Sequence, residues 1–365
     1  MRGVMCKVES TAVREPRHVE CTATRRMEPD DADTLIAGTR AGPWRIECEL
    51  GRGGMGAVYG VIHHQINKRA ALKVMHRRVQ LRDLSDINYE ARVANAVAHP
   101  SIVDVFETGV LPDGRPYIVM ERLDGESLYA RTQHGEVASL HAIEILLRVC
   151  EALRATHAAG IVHRDLKPEN VFLVAPDDLG DAVRVKLLDW GIAKVMCSAY
   201  DRRIDEVIGT PTYLSPEQAA GYAVSPKSDI YSLGVMAFEL FLGRTPFEGE
   251  SSELIAMHRH AVPPAPHLLW NAIPPMLEQL LLAMLAKDPD RRPTLQEIAI
   301  TLAHTRHALE LATPRSLTLA RASAAITAMT TAVTQRRAGM RWRTAAWVLA
   351  SAVLAAVLSL THTRG

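Results

Sequence analysis

Acidic and amide side chains follow apolar, strand-like runs at two places in the sequence. Asp189 follows the run VKLL in VKLLDWGIAKV, and Gly191 comes two residues later. Asp165 and Asn170 lie in IVHRDLKPENVFL. Carboxylate and amide oxygens are ligands that Mg2+ takes in proteins. An Asp-X-Gly sequence after a strand is also an ordinary turn in which glycine supplies the positive φ, so Asp189 alone leaves both interpretations open.

A glycine-rich segment earlier in the chain could bring backbone amides close to phosphate oxygens. GRGGMGAVYGV places Gly51, Gly53 and Gly56 in GxGxxG spacing, so that no Cβ keeps a phosphate away from the N–H groups. The spacing alone also fits a plain hairpin or a dinucleotide site. A dinucleotide site needs a helix that starts at the third glycine, whereas AVYGVI alternates like a strand. We therefore predict a strand–turn–strand unit.

A lysine on the next predicted strand could contact the same phosphates. Lys73 lies in RAALKVM and shares one strand face with Ala71 and Met75. A single lysine on a strand is usually solvated. Glu90, in the helical segment NYEARVANA, would supply a carboxylate that keeps this lysine charged and oriented.

The elements that must position these residues change character along the chain. Short strand-like runs dominate from Trp44 to about Gly114, with one helical segment around residues 86–98. Among these runs are WRIECEL, AVYGVI, RAALKVM and IVDVFETG. Helical periodicity then begins, as in residues 140–157, which end before Gly160. The sequence therefore predicts a small β-rich lobe followed by a larger helical lobe.

The motifs together resemble the protein kinase family. The glycine segment, the lysine of RAALKVM, the HRDLxxxN spacing of residues 163–170 and Asp189 occur in that family's order, and the resemblance covers residues 44–307. LKPEN is typical of the serine/threonine branch, and GTPTYLSPEQAAG is most similar to bacterial eukaryotic-like kinases. The resemblance implies an α+β, bilobal protein kinase fold and ATP-dependent phosphorylation of serine and threonine in proteins.

Phosphoryl transfer spreads negative charge over oxygens in a loose transition state, so a kinase places cations around them and orients the incoming hydroxyl. The resemblance assigns catalytic roles to Asp165, Lys73, Glu90, Lys167, Arg164 and Thr210. It implies that Lys73 contacts the α- and β-phosphates, that Asp165 orients the hydroxyl and that Lys167 neutralises the γ-phosphate. It also implies a Mg2+ site at Asn170 and Asp189. DWG is then this chain's form of the family's DFG.

The resemblance also implies the walls of the ATP site. They comprise Leu50, Gly51, Arg52, Gly53, Gly54, Met55, Gly56, Ala57, Val58, Ala71, Lys73, Met120, Glu121, Leu123 and Phe172. Adenine is expected between Val58 and Ala71 on one side and Phe172 on the other. Because every charged residue needed for transfer is present, we expect an active enzyme. The alternative is a nucleotide-binding pseudokinase scaffold.

Overall composition limits the kinds of partner and site. The chain of 365 residues carries 42 basic and 41 acidic side chains. Its net charge therefore gives no overall electrostatic attraction to nucleic acid, and no nucleic-acid partner is predicted. Its five cysteines include no CxxC spacing and are odd in number. This pattern argues for reduced thiols and against a zinc site or a disulfide framework.

The C-terminal part contains an apolar segment. Residues 344–360 carry no charge, arginines precede them and only Arg364 follows, the positive-inside pattern for a cytoplasmic catalytic domain. We expect a leader at 1–43, a kinase domain at 44–308, a basic linker at 309–343, a single transmembrane helix at 344–361 in the inner membrane and a tail at 362–365. An amphipathic or core helix is the alternative. Small residues at Ser351, Ala355 and Ser359 fit either a helix-mediated homodimer or chance.

The segment before GTPTY lacks hydroxyl residues where similar bacterial kinases carry threonines. Arg202, Arg203 and Ile204 stand there, followed by Asp205 and Glu206. We expect this acidic pair to supply part of the negative charge that an activation-segment phosphate would otherwise place beside Arg164. A solvated acidic surface is the alternative.

Overall fold

The computed structural model describes residues 34–53, 56–76, 95–97, 99–175, 183–189 and 211–312. The chain divides into two units, Met1–Thr305 and Arg306–Gly365. The architecture below is that of the first unit, together with the described residues up to Ala312.

Among the described residues, six strands form an antiparallel sheet in the N-terminal part of the chain. In sheet order they are β1 (Arg40–Ala41), β2 (Trp44–Gly53), β3 (Gly56–His63), β4 (Arg69–Met75), β6 (Pro116–Met120) and β5 (Val105–Val110). β2 and β3 meet where Gly53 pairs with Gly56. The glycine segment is therefore a strand–turn–strand unit, as its alternation predicted.

The two faces of this sheet have different neighbours. One face is buried in an apolar cluster that includes Ala57, Tyr59, Val61, Leu72, Val74 and Val119. On the opposite face the register pairs Val58 with Lys73, and Ala71 with Met120. Paired residues of antiparallel strands project to the same side. The period of two along β3 and β4 therefore separates core residues from the residues predicted to contact ATP.

A three-stranded sheet joins the two lobes. It consists of β7 (Gly125–Ser127), β8 (Val171–Val174) and β9 (Arg184–Leu187), with β8 in the centre. Ile102 forms a parallel bridge with Leu187, which ties β9 to the segment before β5. The sheet holds the loop of residues 163–170 at the start of β8 and Asp189 just beyond β9.

The C-terminal part is helical. Its helices are α1 (Leu128–Gln133), α2 (Ser139–Ala158), α3 (Pro216–Ala219), α4 (Pro226–Leu242), α5 (Ser251–His260), α6 (Pro275–Met284) and α7 (Leu295–Ala312). α2 and α4 form the centre of the lobe, because each buries most of its apolar residues. α4 begins at a capping box of Ser225 and Ser228 and ends at Gly243, whose φ of 74° is the usual helix stop.

Some sequence expectations differ from the structure. The run IVDVFETG was expected to form one strand, but β5 starts at Val105, because Ile102 and Val103 are instead buried against β9. Cys150 is a buried free thiol, whereas Cys48 is disulfide-bonded. An odd number of cysteines rules out complete pairing but allows a single pair, so the expectation of reduced thiols fails at Cys48.

The segments assigned to the ends of the chain fall largely outside the described residues. These include most of the leader, residues 313–343 of the basic linker, the apolar segment 344–361 and the tail. Asp205 and Glu206 lie outside them too. Within the part of the chain that the structure describes, no helix is both long and apolar enough to cross a membrane.

Candidate active site

An aspartate, a lysine and an asparagine meet in the loop between α2 and β8. Asn170 Nδ2 donates to the backbone oxygen of Asp165 at 2.8 Å and to Asp165 Oδ2 at 3.2 Å. Lys167 Nζ lies 3.2 Å from the same Oδ2. The 3-10 turn Pro168–Asn170 folds the chain back so that these contacts form. The loop thus brings one ammonium group and one amide group to the same carboxylate, between the end of α2 and the start of β8.

The backbone of this loop is fixed by a buried carboxylate on α4. Asp229 is 1% exposed and accepts from the backbone N–H of His163 at 2.8 Å and that of Arg164 at 2.9 Å. His157 Nε2 lies 2.7 Å from the same carboxylate. These two hydrogen bonds to Asp229 hold Arg164 at a left-handed φ of 68°. A residue other than glycine adopts this conformation only when its surroundings impose it.

His163 links the loop to the segment that carries Asp189. Burial lowers the pKa of His163, although the carboxylates of Asp229 and Asp165 oppose that shift. Its Nε2 lies 3.1 Å from the backbone oxygen of Leu188. The imidazole therefore ties the residue before Asp189 to the catalytic loop.

Asp189 and Lys73 join the two lobes by an ion pair. Lys73 Nζ lies 2.7 Å from Asp189 Oδ1, and the lysine side chain is 9% exposed while that of Asp189 is 39% exposed. Asp189 itself has a positive φ of 47°, a conformation that is uncommon in residues other than glycine. This geometry favours a functional carboxylate at Asp189 over an ordinary Asp-X-Gly turn.

Asn170 and Asp189 have the chemistry of a magnesium site. The backbone N–H of Leu188 donates to the backbone oxygen of Asn170 at 2.9 Å, so the two predicted ligands lie on neighbouring segments. Because Asn170 Nδ2 is engaged with Asp165, its amide presents Oδ1 as the available ligand atom. An amide oxygen and a partly exposed carboxylate are ligands that a hard cation takes.

The three glycines of the glycine segment serve different purposes. A Cβ on Gly56 would lie 2.2 Å from the backbone oxygen of Val74, so the packing of β3 on β4 requires glycine there. A Cβ on Gly51 or Gly53 would meet no atom of the described residues within 4 Å. Contacts within the described part of the chain therefore do not require glycine there, whereas the close approach of a phosphate would.

The residues predicted to form the adenine walls lie in both sheets. Val58, Ala71 and Met120 share the sheet face that carries Lys73, and Phe172 lies on β8 opposite Ser127. Glu121, which follows Met120, turns its side chain away to contact Lys186 on β9 and to accept from the Asp104 N–H at 2.9 Å. These contacts fix the position of Glu121, one of the residues predicted to line the ATP site.

Several predicted site residues lie outside the described residues. They are Glu90, Thr210, Gly54, Met55 and the Trp190 of DWG. Arg164 is described, and its Nε is buried without an acceptor among the described residues. The roles of these residues remain predictions from the sequence.

Sequence reasoning missed one residue that contacts the loop and one that contacts the Asp229 carboxylate holding the loop. His157 pairs with Asp229, and Gln218 Nε2 donates to the backbone oxygen of Arg164 at 2.8 Å. A signal for Gln218 was present, because Ser215-X-X-Gln218 is the capping-box pattern. The pattern places Gln218 at the start of a helix but not beside Arg164.

Comparison with known proteins agrees with this geometry. The family model described as "Protein kinase domain" matches residues 44–302. Serine/threonine-protein kinase Pkn1 of Myxococcus xanthus is 40% identical over 308 residues, which are 83% of this chain and 43% of that protein. PknA of Mycobacterium tuberculosis is 35% identical over 261 residues, 70% of this chain and 59% of that protein. The match thus covers 43% of one of these relatives and 59% of the other.

Solved structures show the same fold. The crystal structure of the Mycobacterium tuberculosis PknI kinase domain is similar with a TM-score of 0.60 at 26% sequence identity, and the match covers 74% of this chain and 100% of that domain. The match extends over the β-rich and helical parts together. The bilobal α+β architecture expected from the sequence is therefore confirmed.

Proposed function

The chain belongs to the protein kinase family, and on that premise we propose that it transfers the γ-phosphate of ATP to serine and threonine hydroxyls of proteins, its own chain included. The names of Pkn1 and PknA place both relatives in the serine/threonine branch. One observation carries the proposal: the Asp165 carboxylate contacts both Lys167 and Asn170 on the loop that adjoins the Lys73–Asp189 pair.

Asp165 and Lys167 form the part of the site that acts on the acceptor. The Asp165 carboxylate would accept a hydrogen bond from the substrate hydroxyl, orient it toward the γ-phosphate and take up its proton as the bond to phosphorus forms. The bond from that phosphorus to the bridging oxygen breaks in the same step, and ADP leaves. Lys167, 3.2 Å from Asp165 Oδ2, places a positive charge where the transferred group becomes more negative. Asn170 holds the Asp165 carboxylate by the bond from Nδ2.

Lys73 and the glycine segment form the part that holds ATP. Lys73 is nearly buried and paired with Asp189, so its ammonium is already held in the cleft before nucleotide arrives. It would contact the α- and β-phosphates, while N–H groups near Gly51 and Gly53 approach their oxygens. Mg2+ held by Asn170 and Asp189 would neutralise phosphate charge when bound.

The test separates an active kinase from a nucleotide-binding scaffold. The purified protein is assayed for transfer of labelled phosphate from ATP to a generic protein substrate, beside Asp165→Asn and Lys73→Met. We expect Asp165→Asn to lose about 10²- to 10⁴-fold in rate because the hydroxyl is no longer oriented by a base, while ATP binding survives. Absence of transfer by the unaltered protein, with ATP bound, would establish the scaffold instead. A rate above about a tenth of the wild-type value in Asp165→Asn would contradict the role of Asp165.

We further propose that the protein is anchored in the cytoplasmic membrane by residues 344–361, with the kinase domain on the cytoplasmic side, and that it acts in membrane-associated signalling. The support is the uncharged sequence of the segment and the arginines before it. Ser351, Ala355 and Ser359 would form the helix face contacted by a second copy in a homodimer.

A further inference from the structure

Arg164 is held from both sides of its backbone. Its N–H donates to Asp229 Oδ1 at 2.9 Å, and its carbonyl oxygen accepts from Gln218 Nε2 at 2.8 Å. The residue has a φ of 68°, a conformation that costs free energy in a non-glycine residue and persists only if contacts impose it. Its carbonyl belongs to the peptide bond that leads into Asp165. Rotation of that peptide would move the Asp165 carboxylate.

The orientation of the Gln218 amide is determined by its partners. Gln218 Oε1 accepts from the backbone N–H of Ser215 at 3.1 Å, and a backbone N–H can only donate. The carbonyl oxygen of Arg164 can only accept. A flipped amide would therefore lose both bonds, so Nε2 faces Arg164 in this arrangement and no other.

Helix α3, which carries Gln218, is held in place by buried contacts. The neighbouring Glu217 is buried and makes a two-bond ion pair with Arg292, at 2.7 and 2.8 Å. Ser228 Oγ donates to the same carboxylate at 2.6 Å. α3, which carries both residues, is thus fixed to α4 and to the segment before α7. Because α3 is fixed in this way, the Gln218 side chain can hold the loop of residues 163–170 in one position.

We propose that Gln218 is a positioning residue for phosphoryl transfer, which holds the Arg164–Asp165 peptide so that the Asp165 carboxylate faces the acceptor hydroxyl. It acts through Asp165, and the proposal rests on the catalytic role proposed above for that residue. Gln218 would also couple the SPEQ segment, residues 215–218, to the catalytic loop. Displacement of that segment would then lower the rate without removing any group that touches substrate.

Gln218→Glu is the informative variant. It keeps the length of the side chain and an oxygen that can accept from Ser215, but it replaces the donor toward Arg164 with a carboxylate oxygen. We expect kcat for protein phosphorylation to fall about 10- to 100-fold, as for small displacements of a catalytic group. The KM for ATP and the thermal midpoint should stay near the wild-type values, because the nucleotide walls and the cap are retained.

Ser215→Ala is the matched control for the cap. It removes the Oγ that contacts Gln218 Oε1 at 3.0 Å but keeps the backbone donor, so kcat should remain near the wild-type value. If Ser215→Ala lost as much kcat as Gln218→Glu, the effect would come from the helix cap and the proposal would be wrong. Full kcat in Gln218→Glu would also overturn it.

A double-variant cycle tests whether Gln218 acts through Asp165. In the Asp165→Asn background, Gln218→Glu should cause little further loss, because residues that act as a unit are not additive. A further loss of tenfold or more would overturn the proposal. A fully active Asp165→Asn protein would contradict the catalytic assignment itself, which distinguishes that failure from failure of the positioning role.

Discussion

Three described residues other than glycine have left-handed backbone dihedrals: Asn67 at 53°, Arg164 at 68° and Asp189 at 47°. Asn67 lies in the turn between β3 and β4, where asparagine is a tolerated residue. The other two lie beside or at the acidic residues proposed to orient the hydroxyl and to bind the metal. Such conformations cost on the order of 1–3 kcal/mol each. The hydrogen bond from the Arg164 N–H to Asp229, which is distant in sequence, stabilises one of these strained conformations next to the proposed catalytic aspartate.

Single residues of the site differ in how far the sequence could identify them. The short spacing among Asp165, Lys167 and Asn170 makes their proximity predictable, because a tight turn joins them. The contact of Lys73 with Asp189 was not predicted, since 116 residues separate the two positions. Gln218 was missed for the same reason, because its contact with Arg164 spans 54 residues.

Alanine at two glycines should separate folding from nucleotide binding. Gly56→Ala is expected to destabilise the protein by about 1–3 kcal/mol, because the added Cβ would overlap the Val74 carbonyl. Gly53→Ala should leave the thermal midpoint unchanged, since no atom of the described residues lies within 4 Å of the added Cβ, but should raise the KM for ATP severalfold. Thermal unfolding and ATP titration of both variants check this. An unchanged KM in a folded Gly53→Ala protein would argue against close phosphate approach at that residue.

At the scale of elements, one buried ion pair fixes α3 relative to its neighbours. The guanidinium of Arg292 is fully buried and bonds Glu217 twice, and it also donates to backbone oxygens of Lys227 and Ala286. Burial would by itself raise the pKa of Glu217, but hydrogen bonds from Arg292 and Ser228 outweigh it and the pKa is lowered. The carboxylate therefore stays charged in the interior.

Removing one member of this pair should be costly. We expect Arg292→Leu to lower the free energy of unfolding by about 3–5 kcal/mol, because Glu217 is then buried without its partner. The matched control is Arg148→Leu, which removes the partner of Glu151 in an ion pair 3.0 Å long whose side chains are 46% and 43% exposed. That loss should stay below about 1 kcal/mol. Equal losses in urea unfolding would contradict the importance of burial.

The C-terminal end of α5 contains a histidine that should make stability depend on pH. His258 is fully buried beside Phe247, Tyr231 and Lys287. Burial, together with the charge of the Lys287 ammonium, lowers the pKa of His258 to about 4. A hydrogen bond with the backbone of Thr212 acts in the opposite direction. The folded state therefore binds fewer protons than the unfolded state between about pH 4 and 6.5.

Stability from this histidine is present above about pH 6.5 and is lost as the pH falls toward 4. The full loss corresponds to about 3 kcal/mol at about 1.4 kcal/mol per pKa unit. His258→Asn keeps a polar atom near Tyr231 and should unfold with a weaker acid dependence in urea titrations at pH 7, 6 and 5. His304→Asn, an exposed position on α7, should keep the wild-type slope. Parallel pH profiles for all three proteins would show that His258 does not titrate in this way.

For the whole molecule, periodicity alone was enough to order the two lobes. The three-to-four spacing along α2 reflects burial on one face of that helix. Alternation along β3 and β4 predicted strands, although six of the seven residues of β4 are buried and both of its faces are therefore covered. The connection between the lobes was less predictable. Glu121 contacts Lys186 across the segments that join the lobes, and two charged residues far apart in sequence give no periodic signal. Contacts across the molecule therefore required the structure.

The membrane proposal concerns the full chain and can be tested directly. Residues 344–360 would span about 26 Å as a helix, slightly less than a hydrocarbon core of about 30 Å. We expect the full-length protein to remain with membranes at high salt and high pH and to be released only by detergent. Leu354→Arg places a charge near the centre of the segment and should weaken insertion by about 3 kcal/mol. Thr334→Arg adds the same charge to the basic linker and should leave the protein in the membrane fraction. A full-length protein that is extracted without detergent, or a Leu354→Arg variant retained as well as Thr334→Arg, would contradict a spanning helix.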